Sequence, residues 1–374
     1  MQLLDEQGRL FGVVNVVDLL AVLLALAVVV AGVAVVLQPD GSSESPELVT
    51  RHVTLDLGSQ PEYVTERISA GDVAPLGDGP GNLTVTDVFV TPGGGGGSSV
   101  TVRARVRGQL EENTEGESPT VRLAGGPLVL GRQLSVATSE YRVGGVVTAV
   151  EPSGESLDVS TTDVVLTTTM PADVVADISE GDRARASGQN VATVESVTVY
   201  PTGNPTRRQL HLGLSLQTIT RQERVQFGGT PVGVGRTLAV PFERYDVRGQ
   251  VSAVGRLEPA GDVETTRAVV RLSNVPPERA ANVRQGMTET VGRTQYARVL
   301  SKRVEPAEVV LRSQDGNIFV RDHPRNVDVS LTVDLQTRAT TTGLRFHGRP
   351  LRLNDQITLA LGPVTVRVEV IRIR

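Results

Sequence analysis

The side chains of this chain that could perform acid–base or metal chemistry are four histidines and a scattered set of aspartates. The histidines are His52, His211, His323 and His347, and no two stand at a spacing that brings both rings to one helix face or one strand face. His211 falls on the polar phase of an alternating strand, which predicts a solvated ring, and His347 falls at a predicted turn. We therefore assign no catalytic and no metal-ligating histidine.

Two aspartates recur at matching places in the chain. Asp72 and Asp182 each follow a glycine, in ISAGD and ISEGD, while Met287 holds the third matching position. A calcium site would need several oxygen donors converging from nearby loops, and no Asp-x-Asp-x-Asp-Gly loop is present. Aspartate is common in turns because its side chain accepts hydrogen bonds from nearby backbone amides, so we interpret both residues as turn aspartates.

Other motifs that carry chemistry give no site. The Gly-x-Gly at Gly233–Gly235 is not followed by a helical pattern, so we interpret Gly235, and Gly131 at the matching place earlier in the chain, as turn glycines that allow positive φ. No Gly-x-Ser-x-Gly elbow or Walker-type loop occurs. The chain has no cysteine, which excludes disulfides and thiol nucleophiles. We expect no enzyme activity, no cofactor and no metal. Asn82, in Asn-Leu-Thr, is a candidate glycosylation site.

Charge argues against nucleic acid as a partner. The formal net charge is −5, and the basic residues are arginines spread along the chain, apart from Lys302. No basic face is apparent, so we expect no nucleic-acid binding. The arginine bias is typical of a GC-rich genome, archaeal or actinobacterial.

The N-terminal region contains a segment suited to a membrane. Leu19–Leu37 has no polar side chain and would span about 28 Å as a helix, the thickness of a bilayer's hydrocarbon core. The long run and the leader with only Arg9 basic favour an uncleaved anchor, although Ala31 and Ala34 keep a cleaved signal peptide open. The positive-inside rule places the N-terminus in the cytoplasm and the remainder outside.

The remainder of the chain is repetitive. Gly125–Val150 and Gly229–Val254 are identical at 12 of 26 positions, and strand-like stretches end at Pro92, Pro201 and Pro306. In the segment VDVSLTVDLQ the apolar residues alternate strictly with polar ones, which indicates a half-buried strand. A period of more than a hundred residues indicates domain-sized modules rather than a fine solenoid.

We therefore predict an all-β protein, with an N-terminal transmembrane helix followed by three tandem small β-barrel or sandwich-like repeat domains. The predicted boundaries are a cytoplasmic leader at 1–9, a transmembrane helix at 10–38, a linker at 39–50, and repeats at 51–154, 155–260 and 261–374.

The residues of the leader resemble a known family. The stretch DEQGRLFGVVNVVD at 5–18, directly before the apolar run, is similar to the N-terminal signature of the DUF4330 family. The second repeat shares the family's sheet pattern well, the first fairly and the third loosely. The resemblance implies an anchored all-β protein and supplies no catalytic residue. The positions that carry the leader motif are Asp5, Gly8, Arg9, Leu10, Phe11, Gly12, Asn15 and Asp18.

A second, more limited resemblance is to the mammalian-cell-entry domain, which implies small β-barrels with an apolar pore loop for lipids. The corresponding loops here, at 93–99 and 111–118, are polar. We expect a structural or interaction component of the cell envelope that contacts the lipid bilayer through residues 10–38 and binds protein partners, or itself, through the repeats. Lipid or hydrophobic-ligand binding and transfer is the alternative.

Overall fold

The structure is a computed structural model of the chain. It describes residues 9–10, 14–15, 48–76, 81–93, 96–111, 120–123, 125–221, 223–312 and 318–374.

The leader contains a short hairpin where the transmembrane helix was predicted to begin. Strands β1 (Arg9–Leu10) and β2 (Val14–Asn15) pair antiparallel, with Leu10 opposite Val14. The predicted helix therefore does not begin at residue 10, because the first positions of the span adopt extended backbone. The apolar run itself lies outside the described residues. In the described part of the chain, no helix has both the length and the apolar character needed to cross a membrane.

Unit 1 is an eight-stranded antiparallel sheet with one short helix, α1 (Glu62–Thr65). Its strands are β3 (Leu48–Gln60), β4 (Val73–Pro75), β5 (Asn82–Pro92), β6 (Ser98–Glu111), β7 (Thr120–Leu123), β8 (Gly126–Pro127), β9 (Gln133–Ala137) and β10 (Arg142–Glu151).

Unit 2 repeats this arrangement, with helix α2 (Ala172–Ala176). Its strands are β11 (Val159–Pro171), β12 (Arg183–Ala186), β13 (Gln189–Pro201), β14 (Arg207–Arg221), β15 (Arg224–Phe227), β16 (Thr230–Pro231), β17 (Thr237–Pro241) and β18 (Asp246–Val254).

Unit 3 repeats it again, with helix α3 (Pro277–Ala281) and a longer central hairpin. Its strands are β19 (Asp262–Val275), β20 (Thr288–Val291), β21 (Thr294–Arg312), β22 (Ile318–Thr340), β23 (Gly343–Phe346), β24 (Arg349–Pro350), β25 (Gln356–Leu361) and β26 (Val364–Ile373).

The three sheets have one topology. In unit 1 the order is β4-β5-β6-β3-β10-β9, with β7 on β6 and β8 on β7, and units 2 and 3 follow the same order eight strands later. This order is symmetric about the β6–β3 pair, so each unit contains two similar halves that exchange strands. The all-β prediction and the three tandem modules are thus confirmed, and the first sheet begins three residues before the predicted repeat boundary of 51.

The core lies inside each curled sheet, as the alternating sequence predicts. On β22, Val329, Leu331, Val333 and Leu335 are fully buried, while the residues between them are half-buried. The buried residues of units 1 and 2 form one continuous cluster, and those of unit 3 form a second cluster that includes Tyr200 from unit 2. The interior of each unit is therefore filled by side chains.

The repeated glycine signals mark turns. Gly235 has a φ of +85° between β16 and β17, where its N–H donates to the Val251 carbonyl at 2.8 Å. In unit 3 the same turn holds Asn354 at a φ of +65°, bonded in the same way to Val370. Asparagine is among the few residues that tolerate this conformation, so the turn is retained without glycine.

Side chains of the units fix the two linkers, residues 152–158 and 255–261. Arg103 on β6 is 3% exposed and donates to the carbonyls of Gly154, at 2.8 Å, and Ser153, at 3.1 Å. Arg338 on β22 donates to the carbonyls of Pro259 and Gly261, at 3.0 and 2.9 Å. Each linker is held by charge-assisted hydrogen bonds, so neighbouring units are joined by ordered chain.

Candidate functional site at the unit junctions

The two matching aspartates close the sheets of units 1 and 2. The Tyr141 hydroxyl donates to Oδ2 of Asp72 at 2.5 Å, and the Tyr245 hydroxyl donates to Oδ2 of Asp182 at 2.5 Å. The same carboxylate oxygens accept the N–H groups of Ser69 and Ser179, three residues earlier, at 2.9 Å. The turn interpretation of both aspartates is confirmed, and each also ties the turn before the first edge strand to the hairpin at the other edge.

Hydrogen bonding and burial shift the pKa values of Asp182, Tyr141 and Tyr245 in directions that keep these three groups unreactive near neutral pH. The hydrogen bond from Tyr245 lowers the pKa of Asp182 further than burial raises it, with help from the Ser179 amide and from Arg244 at 3.4 Å. Burial and the bonded carboxylate raise the pKa of Tyr141 and of Tyr245. The Asp182 carboxylate stays charged and both phenols stay protonated, as a structural pair requires.

Unit 3 closes its sheet with different residues. Met287 stands where the other units have aspartate, and its sulfur accepts the N–H of Arg284 at 3.2 Å. Glu289, only 1% exposed on β20, accepts the N–H of Ala360 on β25 at 2.7 Å. Its second carboxylate oxygen lies 3.1 Å from Nε2 of His347, but the geometry does not make a hydrogen bond. The two groups form an ion pair when the imidazole ring is protonated.

The junction of units 1 and 2 is made by small polar groups. The N–H of Gly228, in the β15–β16 turn, donates to Oγ1 of Thr91 at the end of β5, at 3.1 Å. Arg221 at the end of β14 forms an ion pair with Asp56 on β3, at 2.5 Å, and the two side chains are 11% and 32% exposed.

The junction of units 2 and 3 uses the same places with large rings. In unit 2, Tyr200 and Gln209 form the cross-strand pair that Thr91 and Ser99 form in unit 1. In unit 3, His347 occupies the turn position that Gly228 occupies in unit 2. The Tyr200 ring has its centroid 5.2 Å from that of His211, 5.3 Å from that of Tyr296 and 5.7 Å from that of His347. Burial raises the pKa of Tyr296 to about 12.

His211 is buried at this junction, so its predicted solvent exposure is wrong. The side chain is 7% exposed because the His347–Gly348 turn of unit 3 covers the polar face of β14. Burial, together with the positive charges of Arg338 and Arg345, lowers the pKa of His211 to about 4. The ring is neutral at physiological pH, and Nε2 lies 3.1 Å from Nε2 of Gln209.

A cleft remains open beside the first junction. It has a volume of about 1110 Å³ and lies between the β5–β6 hairpin of unit 1 and strands β12, β17 and β18 of unit 2. Its wall mixes apolar and charged side chains. Lining residues include Ile68, Val88, Val247, Glu66, Arg185 and Arg248.

The remaining predicted positions do not converge. His323 lies in β22 of unit 3, and His52 lies on β3, where neither ring nitrogen has a hydrogen-bond partner. Asn82 is half-buried at the first residue of β5, opposite Pro75. Of the leader motif, Arg9, Leu10 and Asn15 lie in the β1–β2 hairpin, and the other positions lie outside the described residues. In the described part of the chain, no three His, Asp or Glu side chains group closely enough to hold a metal ion.

A family model described as "Domain of unknown function (DUF4330)" matches residues 1–94 and 257–374, which together are more than half of the chain. The chain belongs to the DUF4330 family. The match covers the leader, the first half of unit 1 and all of unit 3, whereas the sequence resemblance to DUF4330 was expected to be closest in unit 2 and loosest in unit 3. Unit 2, most of which lies outside the DUF4330 match, has the same strand order as the matched unit 3. No curated protein and no solved structure matches the chain.

Several residues that build these DUF4330 junctions were not found by sequence reasoning. Tyr200, Glu289 and Arg103 are each isolated in the sequence. Tyr200 meets the Tyr296 and His347 rings of another unit, and the hydrogen-bond partners of Glu289 and Arg103 lie 48 or more residues away. One signal was available. Tyr200, one of five tyrosines in the chain, stands directly before Pro201 at the end of a repeated strand, where unit 1 has Thr91 before Pro92.

Proposed function

We propose that this DUF4330 protein is a non-enzymatic scaffold or assembly component of the cell envelope, which presents three β-units in a fixed order to protein partners. The observation that carries the proposal is the repeated junction, in which the end of one unit's central hairpin contacts the β15–β16 turn of unit 2 or the β23–β24 turn of unit 3. Together with ordered linkers, these contacts give a continuous array rather than independent domains.

The proposed location is the extracytoplasmic face of the membrane. The support is the apolar run Leu19–Leu37, which is long enough to cross a bilayer, and Arg9 before it, which favours a cytoplasmic N-terminus. The units would then project from the outer surface, with the apolar run Leu19–Leu37 in the bilayer.

The polar side chains support a structural role. Asp72, Asp182 and Glu289 are each committed to closing a sheet, and His211 is held neutral beneath the next unit. These groups stabilise the array through hydrogen bonds that a substrate would have to displace. The exposed surfaces available to partners are the edge strands and hairpins.

The experiment that tests the scaffold proposal is native mass spectrometry of the full chain released from detergent micelles, before and after lipid extraction. A scaffold should retain its mass, or its protein-only assembly, when lipid is removed. Crosslinking in intact membranes should then join the units to other envelope proteins or to further copies. Recovery of the chain alone, with no protein crosslink at any unit, would contradict the proposal.

A second candidate function, lipid or hydrophobic-ligand binding, is supported by the cleft between units 1 and 2. The interiors of the units are filled, so the cleft rather than a tunnel would hold the ligand. This candidate predicts a lipid that co-purifies with the chain and is lost on Val88→Glu in the cleft wall. Val234→Glu, which changes a 70% exposed side chain elsewhere in unit 2, should leave such a lipid bound.

A further inference from the structure

Units 1 and 2 present the same end to the unit that comes after each of them. The Gly228 N–H donates to Thr91 Oγ1 at 3.1 Å, and Gln209 Nε2 donates to the His347 carbonyl at 3.3 Å. In both cases the end of the central hairpin meets the same turn of the next unit. We call the end of the hairpin the donor end. The turn and the neighbouring strands that face the hairpin, β17 and β18 in unit 2 and the matching β9 and β10 in unit 1, are the receiving face. Two of these surfaces have no intrachain partner among the described residues: the donor end of unit 3 and the receiving face of unit 1.

The donor end of unit 3 is enlarged into an arm, residues 307–312 and 318–326. Strands β21 and β22 are 19 and 23 residues long, whereas β5 and β6 of unit 1 are 11 and 14. On the arm, Val310 and Val320 lie directly opposite each other and are 66% and 60% exposed. A two-stranded ribbon that shows an apolar pair to water is marginally stable alone and is favoured by a partner that covers it.

The base of the arm is ordered. Between the pairs Pro306–Val327 and Glu308–Asp322, four residues of β22, 323–326, lie opposite one residue of β21, which forms a large irregular bulge. Nδ1 of His323 accepts the N–H of Asn326 at 2.8 Å. A bulge bends its strand and redirects the residues beyond it, so the ribbon changes direction at the base of the arm.

Charge on the arm matches charge on the receiving face of unit 1. Glu308 and Asp322 are exposed and directly opposite each other, an arrangement that is destabilising unless a cation approaches. On unit 1, Arg142 is exposed at the position that Asp246 holds in unit 2, where Asp246 lines the cleft at the receiving face.

We propose that the arm of unit 3 docks on the receiving face of unit 1 in a second copy of this chain. This rests on the proposed scaffold function and names the partner. The contact continues the order of units from one copy into the next. Such a head-to-tail contact is heterologous, so it produces rings when the rotation closes and filaments when it does not.

Site-specific crosslinking tests this docking, because the chain has no cysteine and one introduced thiol is unique. Full-length Glu305→Cys and full-length Ser135→Cys are mixed in detergent with a short bismaleimide. Glu305 is exposed at the arm base, and Ser135 is exposed on the receiving face of unit 1. We expect the mixed crosslink to exceed both self-crosslinks. Ala239→Cys is the matched control, since that position in unit 2 faces unit 1 of its own chain.

Second-site changes sharpen the test. Val310→Glu with Val320→Glu in the Glu305→Cys chain should abolish the mixed crosslink, while Val234→Glu in the same chain should leave it. Arg142→Glu in the Ser135→Cys chain should weaken it, and Glu308→Arg in the other copy should restore it.

Two results would overturn the docking. Self-crosslinks of Glu305→Cys alone would mean that arms meet arms, and the absence of every crosslink would mean that copies do not associate through this face. The scaffold function would survive either result if crosslinks to other envelope proteins were found. It would fail separately if no protein partner of any kind were found.

Discussion

The two junctions of the chain share one backbone contact and differ in the side chains that fill it. At the first junction the contact positions hold the small residues Thr91, Ser99 and Gly228, and a cleft of about 1110 Å³ lies beside the junction. At the second, Tyr200, Gln209 and His347 hold these positions. The repeated fold therefore determines which hairpin contacts which turn. The side chains at those positions determine how stable each junction is.

The apolar cores of the units are also connected differently at the two junctions. Units 1 and 2 share a continuous apolar cluster, so their junction needs no large ring, whereas unit 3 has its own cluster and receives Tyr200 as the connecting side chain. We therefore expect the stability of the second junction to depend on a few aromatic and titratable side chains. We expect the stability of the first to depend on close backbone contact and on the Arg221–Asp56 ion pair.

Replacing the central ring of the second junction should have the largest effect. Tyr200→Ala removes a 5% exposed aromatic side chain and leaves a cavity, which should cost about 3–5 kcal/mol. The measurement is hydrogen exchange of peptides covering 200–211 and 343–350. Thr91→Ala at the first junction is the matched control and should cost only about 1 kcal/mol. Equal losses would show that the junctions do not differ in this way.

Acidification should weaken the second junction and spare the first. His211 has a pKa of about 4 in the folded chain and 6.5 as the ordinary value, so between these limits only the unfolded chain takes up the proton. Stability is full above pH 6.5 and falls as the pH drops toward 4, by at most about 3 kcal/mol.

The pH effect is measured by hydrogen exchange at pH 7 and pH 4.5 after correction for intrinsic exchange rates. His211→Gln should remove it. Glu289 and His347 remain in that variant, so a pH dependence that persists would assign the effect to them instead. In unit 1 Thr101 holds the place of His211, which is why the first junction should not respond.

Adding one methyl group should open the first junction. Gly228 has a φ of +58°, and a Cβ there would overlap the carbonyl oxygen of Pro92. Gly228→Ala should cost about 2 kcal/mol through left-handed strain and this overlap. The control is Gly235→Ala, which has a φ of +85° and open space around it, and should show the strain alone. Exchange of peptides covering 224–231 reports the difference.

The smallest expected effect is on the ion pair of the first junction. Arg221→Gln should lower the opening free energy of that junction by about 1 kcal/mol, because the Arg221–Asp56 pair is only partly desolvated. The loss should shrink at high salt, because salt screens an ion pair that is partly exposed. Arg303→Gln, in the exposed Arg303–Glu305 pair, should have no measurable effect.

Much of the fold could be predicted from the sequence, for local reasons. Alternation along VDVSLTVDLQ identified a half-buried strand, and the repeated Gly131 and Gly235 identified turns that need positive φ. The repeat itself gave the number of units. Strand order could not be predicted, because alternation determines which face is buried and says nothing about which strand is the neighbour.

The site was less predictable, and His211 shows why. Its polar phase in the strand would place it in water in an isolated sheet, but the turn at His347 and Gly348 of unit 3 covers it. The burial of Glu289 could not be predicted either, because the N–H that it accepts belongs to Ala360 on the opposite edge strand, 71 residues away in the chain. The sequence pattern within one unit therefore carries no information about the contacts that this unit makes with the next.

The sequence by itself determined the all-β class, the turns and the threefold repetition, because strand periodicity and turn chemistry depend on residues close together in the chain. Tertiary structure alone decided the exchange of strands between half-units, the closure of each sheet and the identity of the junction residues. These depend on contacts across dozens of residues, where the burial and charge of a side chain are set by the unit that packs against it.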